Sequence, residues 1–465
     1  MRIELPPRPS PEQLIILQRP LHPVEIIKGA AGSGKTLTAL YKLVFATGYM
    51  ATYKSCINIL ILSYNRTLKG YIEAMLQNSR FPILPRSTQI HLTVGTFARW
   101  AMNACNISRL NICSALEFIN MNYAQLPLSS DYSPDFIAEE MSYILKRFPH
   151  NNLNSYIDAR RHGRGANPAV DSNARAILVN EYISRYTEWK NIHSRQDWED
   201  VAWHANTVSH LSYDIIVVDE GQDFTANQYR AIVNSLAEDS SLICVIDTAQ
   251  KIYLNGFTWM ECGIDARRHT PVTLSANFRN TQEIASLAAE ILSNVTIDED
   301  GVLPVRHYTM RTGGLPVLLR GNFSHQMDYI IDRIRCHLAA GESCAVLLRS
   351  SNWDSEVKRR IRLAGFEFAS ITCEDSWPEE NINLVISTMH SAKGLEFDHV
   401  FMPGINEQLF PQYSDSAQEH EHRDRRLLAM AIGRARHTVT LGEKPGEESH
   451  YFNAIDIGTL QRISV

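Results

Sequence analysis

The sequence of 465 residues lacks the features of membrane, secreted and disulfide-rich proteins. It has no apolar run of about eighteen residues or more, so no membrane span is predicted. Its N-terminal residues, with Pro6, Pro7 and Pro9, have neither the basic start nor the apolar stretch of a signal peptide. The eight cysteines form no CxxC pair, which predicts reduced thiols and no structural metal. These absences favour a soluble protein of the cytoplasm.

The sequence also lacks a net positive charge. It has 45 Lys and Arg against 51 Asp and Glu, a formal net charge of −6. The first 100 residues nevertheless contain twelve Lys or Arg and only four Asp or Glu. Such asymmetry is typical of a protein that contacts a polyanion with one part only, although the same cations could surround a nucleotide or lie on solvated faces.

A glycine-rich segment near the start predicts a phosphate-binding loop. It follows a short apolar run of strand character (24–27) and precedes a stretch with helical spacing, and it fits the pattern GxxxxGK[ST]. Glycines let the backbone approach phosphates, the lysine supplies a cation, and the threonine hydroxyl can bind Mg²⁺. A plain glycine turn would explain neither the lysine nor the threonine. The predicted nucleotide contacts are Gly29, Ala30, Ala31, Gly32, Ser33, Gly34, Lys35 and Thr36.

A second segment, YDIIVVDEGQDF (213–224), predicts a buried strand that ends in two acidic residues. At the carboxyl end of a parallel strand, Asp219 would hold Mg²⁺ together with Thr36, and Glu220 would orient and deprotonate the attacking water. Two adjacent acids could instead be ordinary N-caps of the next helix, but their occurrence together with the glycine-rich segment disfavours this alternative.

The segments GAAGSGKT and DEGQD together resemble the UvrD/Rep family of superfamily 1 helicases, and further motifs follow in the family's order. PEQ resembles the glutamine motif that reads adenine, and IDTAQKIY (246–253) resembles a segment that links the γ-phosphate to the DNA groove. LSANFRNT (274–281) and DRRLLAMAIGRARH (424–437) resemble the segments that carry two arginine fingers, and TMHSAKGLEFDHVFMPG (388–404) is similar to the TxHxxKGLEF signature.

The resemblance implies ATP and Mg²⁺ as cofactors and assigns the chemistry to particular residues. The implied catalytic residues are Lys35, Asp219, Glu220, Gln250, Arg279 and Arg434. Further implied nucleotide contacts are Gln13, Phe278 and Glu396. Both arginines are expected on a second RecA-like domain, so that they stabilise charge on the γ-phosphate only when the domains close.

The resemblance also implies a groove for single-stranded DNA. LSYNRTLKGYI (62–72) and VGTFARWA (94–101) stand where the family has two DNA-contacting segments. Aromatic faces that stack on bases are typical of such grooves, although any single aromatic could equally belong to the core. The expected DNA contacts are Tyr64, Asn65, Thr96, Phe97, Trp259 and His390.

The expected fold class is α/β, with two RecA-like P-loop domains whose parallel sheets are flanked by helices. We expect the first, domain 1A, at 1–104 plus 206–270, a mainly helical insertion 1B at 105–205, and the second, domain 2A, at 271–465. The family's 2B subdomain is expected to be absent, because residues 364–390 cross the usual insertion point almost directly.

The expected function is an ATP-dependent translocase or helicase on single-stranded or tailed DNA, moving 3′ to 5′ as the family does. The alternative is an ATP-gated DNA-sensing subunit of a repair or anti-phage complex, with a protein partner such as a nuclease and little unwinding of its own. A P-loop kinase is disfavoured, because it would not contain the DEGQD and GRAR segments.

Overall fold

A computed structural model describes most of the chain. The described residues are 9–29, 32–62, 88–107, 111–123, 126–161, 168–208, 211–247, 256–265, 272–293, 295, 311–350, 354–371, 382–411, 418–453 and 455–465. Within these ranges, the helices are all too short or too polar to cross a membrane.

The first domain is built on a six-stranded parallel sheet. Its strands are β1 (Val24–Gly29), β2 (Cys56–Leu62), β3 (Gln89–Gly95), β4 (Tyr213–Val218), β5 (Leu236–Ile246) and β6 (Val272–Leu274). Their spatial order is β3-β2-β4-β5-β1-β6. The apolar run of β4 is buried as predicted, because Ile215 and Val217 pack on one face of the sheet while Ile216 and Val218 pack on the other. Strand β6 belongs to this sheet, which therefore continues a few residues past the boundary expected at 270.

Helices cover both faces of the first sheet and also form the insertion. They are α1 (Pro11–Gln18), α2 (Lys35–Met50), α3 (Phe97–Ala104), α4 (Ala115–Asn122), α5 (Pro134–Arg147), α6 (Ser172–Ile177), α7 (Ser184–Ile192), α8 (Trp198–Asn206) and α9 (Ala226–Asn234). A π-helical segment, Leu178–Ile183, joins α6 to α7. Helices α4 to α7 enclose a core of their own, which includes Phe118, Tyr156 and Tyr186. Helix α8 packs instead against the first sheet, through Val201 and Ala205.

The second domain is built on a seven-stranded parallel sheet. Its strands are β7 (Val317–Arg320), β8 (Cys344–Leu348), β9 (Ala369–Ile371), β10 (Leu384–Thr388), β11 (Phe397–Met402), β12 (Ala435–Glu443) and β13 (Gln461–Ser464), in the order β13-β7-β12-β11-β8-β10-β9. Its helices are α10 (Gln282–Ile291), α11 (Phe323–Ala339), α12 (Asp354–Leu363), α13 (Gln418–Ile432) and α14 (His450–Asn453). Helices α10 and α13 cover one face, and α11 and α12 cover the other.

The chain thus forms two parallel-sheet α/β domains of the RecA-like type, which confirms the fold class expected from the sequence. The two sheets present opposite edges to the region described next. Gly29, Asp219 and Asp247 lie at or just beyond the carboxyl ends of first-domain strands, whereas Glu396 and Arg434 lie just before the amino ends of β11 and β12.

Candidate nucleotide site between two domains

The glycine-rich loop connects β1 to α2 and has a backbone shape that requires glycine. Gly32 and Gly34 both have φ of 77°, in the left-handed region. A Cβ on Gly32 would lie 2.3 Å from the Asn277 side-chain oxygen, so a larger residue cannot fit. The hydroxyl of Ser33 is buried without a hydrogen-bond partner among the described residues. A buried unpartnered hydroxyl at a helix start suits a phosphate oxygen. Ala30 and Ala31 lie outside the described residues.

Lys35 and Thr36 begin α2 and point toward acidic groups of the first sheet. The Lys35 ammonium donates to the Gly29 carbonyl at 2.8 Å and lies 3.0 Å from an Asp247 oxygen. The Thr36 hydroxyl donates to Asp219 Oδ1 at 2.9 Å. A hydroxyl beside a carboxylate is an all-oxygen donor set of the kind that Mg²⁺ prefers. The residues present therefore fit a magnesium–triphosphate group.

Asp219 and Glu220 have opposite ionisation behaviour although they are adjacent. Burial, and then repulsion from Glu220, raise the pKa of Asp219 to about 7. Burial also opposes ionisation of Glu220, but the charges of Lys393, Lys35 and Arg434 outweigh it and lower the pKa of Glu220. Glu220 is therefore ionised at neutral pH, as a proton acceptor must be.

The backbone of Glu220 is held in an uncommon conformation. Its φ is 52°, in the left-handed region, which costs a non-glycine residue about 1 to 2 kcal/mol. Gln222, in the following turn, holds the Glu220 side chain, since its amide nitrogen donates to Glu220 Oε2 at 2.5 Å. The amide oxygen of Gln222 accepts from the Asp247 backbone N–H at 2.8 Å. Such backbone strain is typical of residues in functional sites.

Lys393 of the second domain reaches the carboxylates of the first. It is almost fully buried in the segment between β10 and β11, pairs with Asp223 Oδ2, and lies 3.8 Å from Glu220 Oε2. Burial disfavours its charge, but Asp223 and Glu220 raise the pKa of Lys393 above its ordinary value. Lys393, Asp223 and Asp247 were not among the residues expected at the site, although each lies inside a recognised motif. That position was the only signal available.

Arg434 is a buried cation just before β12. Its Nε donates to the Met430 carbonyl at 3.0 Å, and the residue is 2% exposed. Burial, followed by repulsion from Arg279, lowers the pKa of Arg434 to about 10, so the guanidinium remains charged at neutral pH. Glu396, before the neighbouring strand β11, forms ion pairs with Arg279 and, at 3.2 Å, with Arg436.

Arg279 lies in the loop 275–280 that connects the domains rather than within the second domain, where it was expected. The Phe278 N–H donates to the Gly32 carbonyl at 2.9 Å, which fastens the loop to the glycine-rich segment. The Asn280 side-chain amide donates to the carbonyls of Gly433 and Ala435, at 3.1 and 2.5 Å, which fastens it to β12. Arg279 is therefore held by both domains at once because its loop bonds to both.

Gln13 and Phe278, both expected to contact the nucleotide, differ in availability. Both ends of the Gln13 side-chain amide are engaged: its nitrogen donates to the Gly34 carbonyl at 3.3 Å, and its oxygen accepts from the Ser10 N–H at 2.8 Å. Phe278 is 37% exposed and its backbone is bonded to the glycine-rich loop, so it is accessible to a bound base.

The expected DNA contacts fall into three groups. Tyr64 and Asn65 lie outside the described residues, as does Gln250. Phe97 is 7% exposed and packs against Trp100 and Phe224, with ring centroids 5.3 and 6.2 Å away. A stacking platform needs an exposed face, so Phe97 is a core residue in this structure.

The remaining expected DNA contacts keep some solvent exposure. Trp259 is half-buried and packs edge-on against Tyr229, with centroids 5.0 Å apart. Thr96 caps α3, its hydroxyl accepting from the Arg99 N–H. His390 is half-buried, and burial, reinforced by the charges of Arg349 and Arg423, lowers its pKa.

Comparison with known proteins gives matches over both domains. A probable DNA helicase of Mycoplasma pneumoniae is 28% identical over 240 residues, which are 49% of this chain and 42% of that protein. The mitochondrial ATP-dependent DNA helicase HMI1 of Saccharomyces cerevisiae is 21% identical over 403 residues, which are 80% of this chain and 54% of that protein. A Staphylococcus epidermidis ATP-dependent DNA helicase, PcrA, is 46% identical over 55 residues, 11% of this chain and 8% of that protein. The chain thus spans about half the length, or less, of these curated relatives.

Two family models match in the order of the domains. The UvrD/REP helicase N-terminal domain matches residues 10–256, more than half of the chain, and the UvrD-like helicase C-terminal domain matches residues 370–442. The first match contains the glycine-rich loop, Asp219 and Glu220, and the second contains Lys393, Glu396 and Arg434. The chain therefore belongs to the UvrD/REP helicase family.

Proposed function

We propose that this protein is an ATP-driven motor that moves along single-stranded DNA from 3′ to 5′. The observation that carries the proposal is the contact of Lys393, from the second domain, with the carboxylate cluster of the first. A site assembled from two domains is sensitive to the angle between them, so a reaction there can be coupled to domain motion.

Binding of the nucleotide is assigned to the glycine-rich loop and its neighbours. Lys35 would exchange its Asp247 contact for phosphate oxygens, and the Ser33 hydroxyl, which has no partner among the described residues, would donate to a phosphate oxygen. Thr36 and Asp219 would hold the metal. Phe278 offers its exposed ring to the base, whereas Gln13 would have to release Ser10 or Gly34 before its amide could read the base edge.

Hydrolysis is assigned to Glu220 and the arginines. Bound Mg-ATP supplies the phosphoanhydride bond that is cleaved and a divalent charge that neutralises the phosphates. Glu220, ionised and held by Gln222, accepts the proton of the attacking water. Arg279 and Arg434 place positive charge where negative charge develops, and Glu396 orients Arg279. The link between the γ-phosphate and the DNA groove is assigned to Gln250, from the family resemblance.

Movement follows if closure alters the grip on DNA. The expected DNA contacts are spread over both domains, with Thr96 and Trp259 in the first and His390 in the second. Closure with ATP and opening after hydrolysis would then shift one set of contacts relative to the other. Single-stranded DNA as substrate and the direction of travel rest on the family's properties, and the absence of a 2B subdomain remains part of the proposal.

The test is displacement of streptavidin from biotinylated oligonucleotides. A 3′ to 5′ motor should displace it from a 5′-terminal biotin faster than from a 3′-terminal biotin, and only with ATP. The control is Glu220→Gln, which should bind nucleotide and DNA without displacement. An ATP-gated DNA sensor would hydrolyse ATP with DNA but displace nothing from either end, and that outcome would overturn the motor proposal.

A further inference from the structure

Three side chains of the second domain form a compact cluster far from the glycine-rich loop in sequence. They are His337 in the last turn of α11, Glu342 in the turn before β8, and His399 in β11. His337 Nδ1 lies 2.9 Å and His399 Nε2 lies 2.8 Å from the same carboxylate oxygen, Glu342 Oε2. The two imidazole rings are stacked, with centroids 3.4 Å apart and planes 20° apart.

Backbone hydrogen bonds hold together the elements that carry the three side chains. The Glu342 N–H donates to the His337 carbonyl at 3.0 Å, which closes the turn after α11. The His399 N–H donates to the Ser343 carbonyl, also at 3.0 Å, which sets β11 beside that turn. The cluster therefore sits on regular elements that hold it in place, and such support lowers the cost of organising a metal site.

The chemistry of the cluster matches a transition-metal site. One ligand atom from each residue lies within 4.8 Å of the others. Atoms bound to one Zn²⁺ at about 2.0 to 2.2 Å lie at most about 4.4 Å apart, so small side-chain movements suffice. Two imidazoles and one carboxylate form a known set of zinc ligands that leaves further positions for water.

A neighbouring hydroxyl prepares His399 as a ligand. Its Nδ1 lies 2.7 Å from Thr438 Oγ1 on the adjacent strand β12. The 2.8 Å contact with Glu342 requires a proton on Nε2, which an incoming ion would displace. Nδ1 would then donate its own proton to the Thr438 hydroxyl, as in metal sites whose second hydrogen bonds orient the histidine. His399 is 4% exposed, whereas Glu342 is 36% exposed, so an ion could enter from the Glu342 side.

We propose that His337, Glu342 and His399 bind a divalent transition metal of the Zn²⁺ class. The sequence predicted no structural metal because its ligands come from three elements and form no spacing motif. The site shares no residue with the proposed nucleotide site, and its test does not depend on the motor activity.

The experiment is calorimetric titration of Zn²⁺ into chelator-treated, nucleotide-free protein. The parent protein should bind one Zn²⁺ more tightly than His399→Ala and His337→Ala, each of which should weaken that site by at least about tenfold. The matched control is His193→Ala, which removes an exposed histidine that contacts only a backbone carbonyl among the contacts described for its ring nitrogens. It should bind like the parent.

A second readout separates ligand loss from misfolding. Crystals soaked in Zn²⁺ should show an anomalous peak at about 2.0 to 2.2 Å from His337 Nδ1, His399 Nε2 and a Glu342 oxygen. Parent-like binding by both histidine variants, or an anomalous map without a peak at this cluster, would overturn the proposal. His337 is 24% exposed, so its replacement by alanine should leave the fold intact even if the His399 variant does not fold.

Discussion

Replacing Lys393 by methionine tests whether the contact between the domains controls catalysis. The substitution keeps a long side chain but removes a buried charge that faces Asp223 and Glu220. At 3.8 Å from Glu220, two unit charges interact by about 4 kcal/mol at an effective dielectric constant of 20. Burying the ammonium offsets part of this, and removing one partner of a buried pair typically costs about 3 to 5 kcal/mol.

This free-energy cost applies only to the arrangement in which residue 393 lies against the carboxylates of the first domain. A penalty of about 3 kcal/mol lowers the population of that arrangement by about 100-fold, so DNA-stimulated ATP hydrolysis by Lys393→Met should fall by a similar factor. Burial raises the pKa of Asp223 to about 6 against the opposing charge of Lys393, and without this lysine it should rise further. The loss of stability that this substitution causes through the Asp223 carboxylate should therefore be smaller at pH 6 than at pH 8, where that carboxylate is ionised. Adding Asp223→Asn should restore part of the rate.

A buried lysine in the insertion provides the control for this variant. Lys190 is 3% exposed and pairs with Asp197 at 2.9 Å and Asp200 at 2.7 Å, all within the insertion and the adjoining helix α8. Lys190→Met should lower the melting temperature but leave hydrolysis near the parent rate below the melt. Steady-state ATPase measurements with and without DNA make the comparison. A Lys393→Met rate within about threefold of the parent, with the protein folded, would refute the reasoning.

Four further substitutions address single residues. Lys35→Ala should abolish binding of a nonhydrolysable ATP analogue in calorimetry, because the cation beside Gly29 is lost. Glu220→Gln should keep that binding but lose turnover in single-turnover assays; turnover at the parent rate would mean that another group activates water. Arg434→Ala should reduce kcat by about 10³ to 10⁵, and a loss below tenfold would remove its assigned role. Glu199→Gln should raise the melting temperature at pH 8 but not at pH 4. Burial raises the pKa of Glu199 from 4.5 to about 7. Ionisation of the buried carboxyl therefore removes up to about 3 kcal/mol of stability as the pH rises through this window. Equal melting-temperature changes at both pH values would contradict this.

Local patterns predicted the parts of the site that depend on neighbouring residues in the sequence. The glycine spacing predicts the backbone of the loop, since Gly32 and Gly34 do adopt positive φ. The apolar run before Asp219 predicts a buried parallel strand, and β4 is one. In both cases the residue types and the local conformation follow from the same short segment, so no tertiary information is needed.

Properties that arise from packing were not predictable in this way. A sequence motif does not show whether its aromatic residue is exposed or buried. The contacts of Phe97 with Trp100 and Phe224 place it in the core. The pairing of Lys393 with Asp223 joins residues 170 positions apart. Such pairs depend on how the two sheets meet, which the sequence does not display.

The way in which the two sheets face each other explains why the interactions at the site depend on the arrangement of the domains. Parallel strands collect functional side chains at their carboxyl ends, and the first domain follows this rule with Asp219 and Asp247. The second domain instead contributes Glu396 and Arg434 from the amino ends of β11 and β12, so the carboxyl edge of one sheet faces the amino edge of the other. A small rotation about the connecting loop, which carries Arg279, would move Lys393 and Arg434 relative to the carboxylates of the first domain. Because the interaction energy between charges falls with distance, such a rotation changes the electrostatic interactions at the site without rearrangement inside either domain.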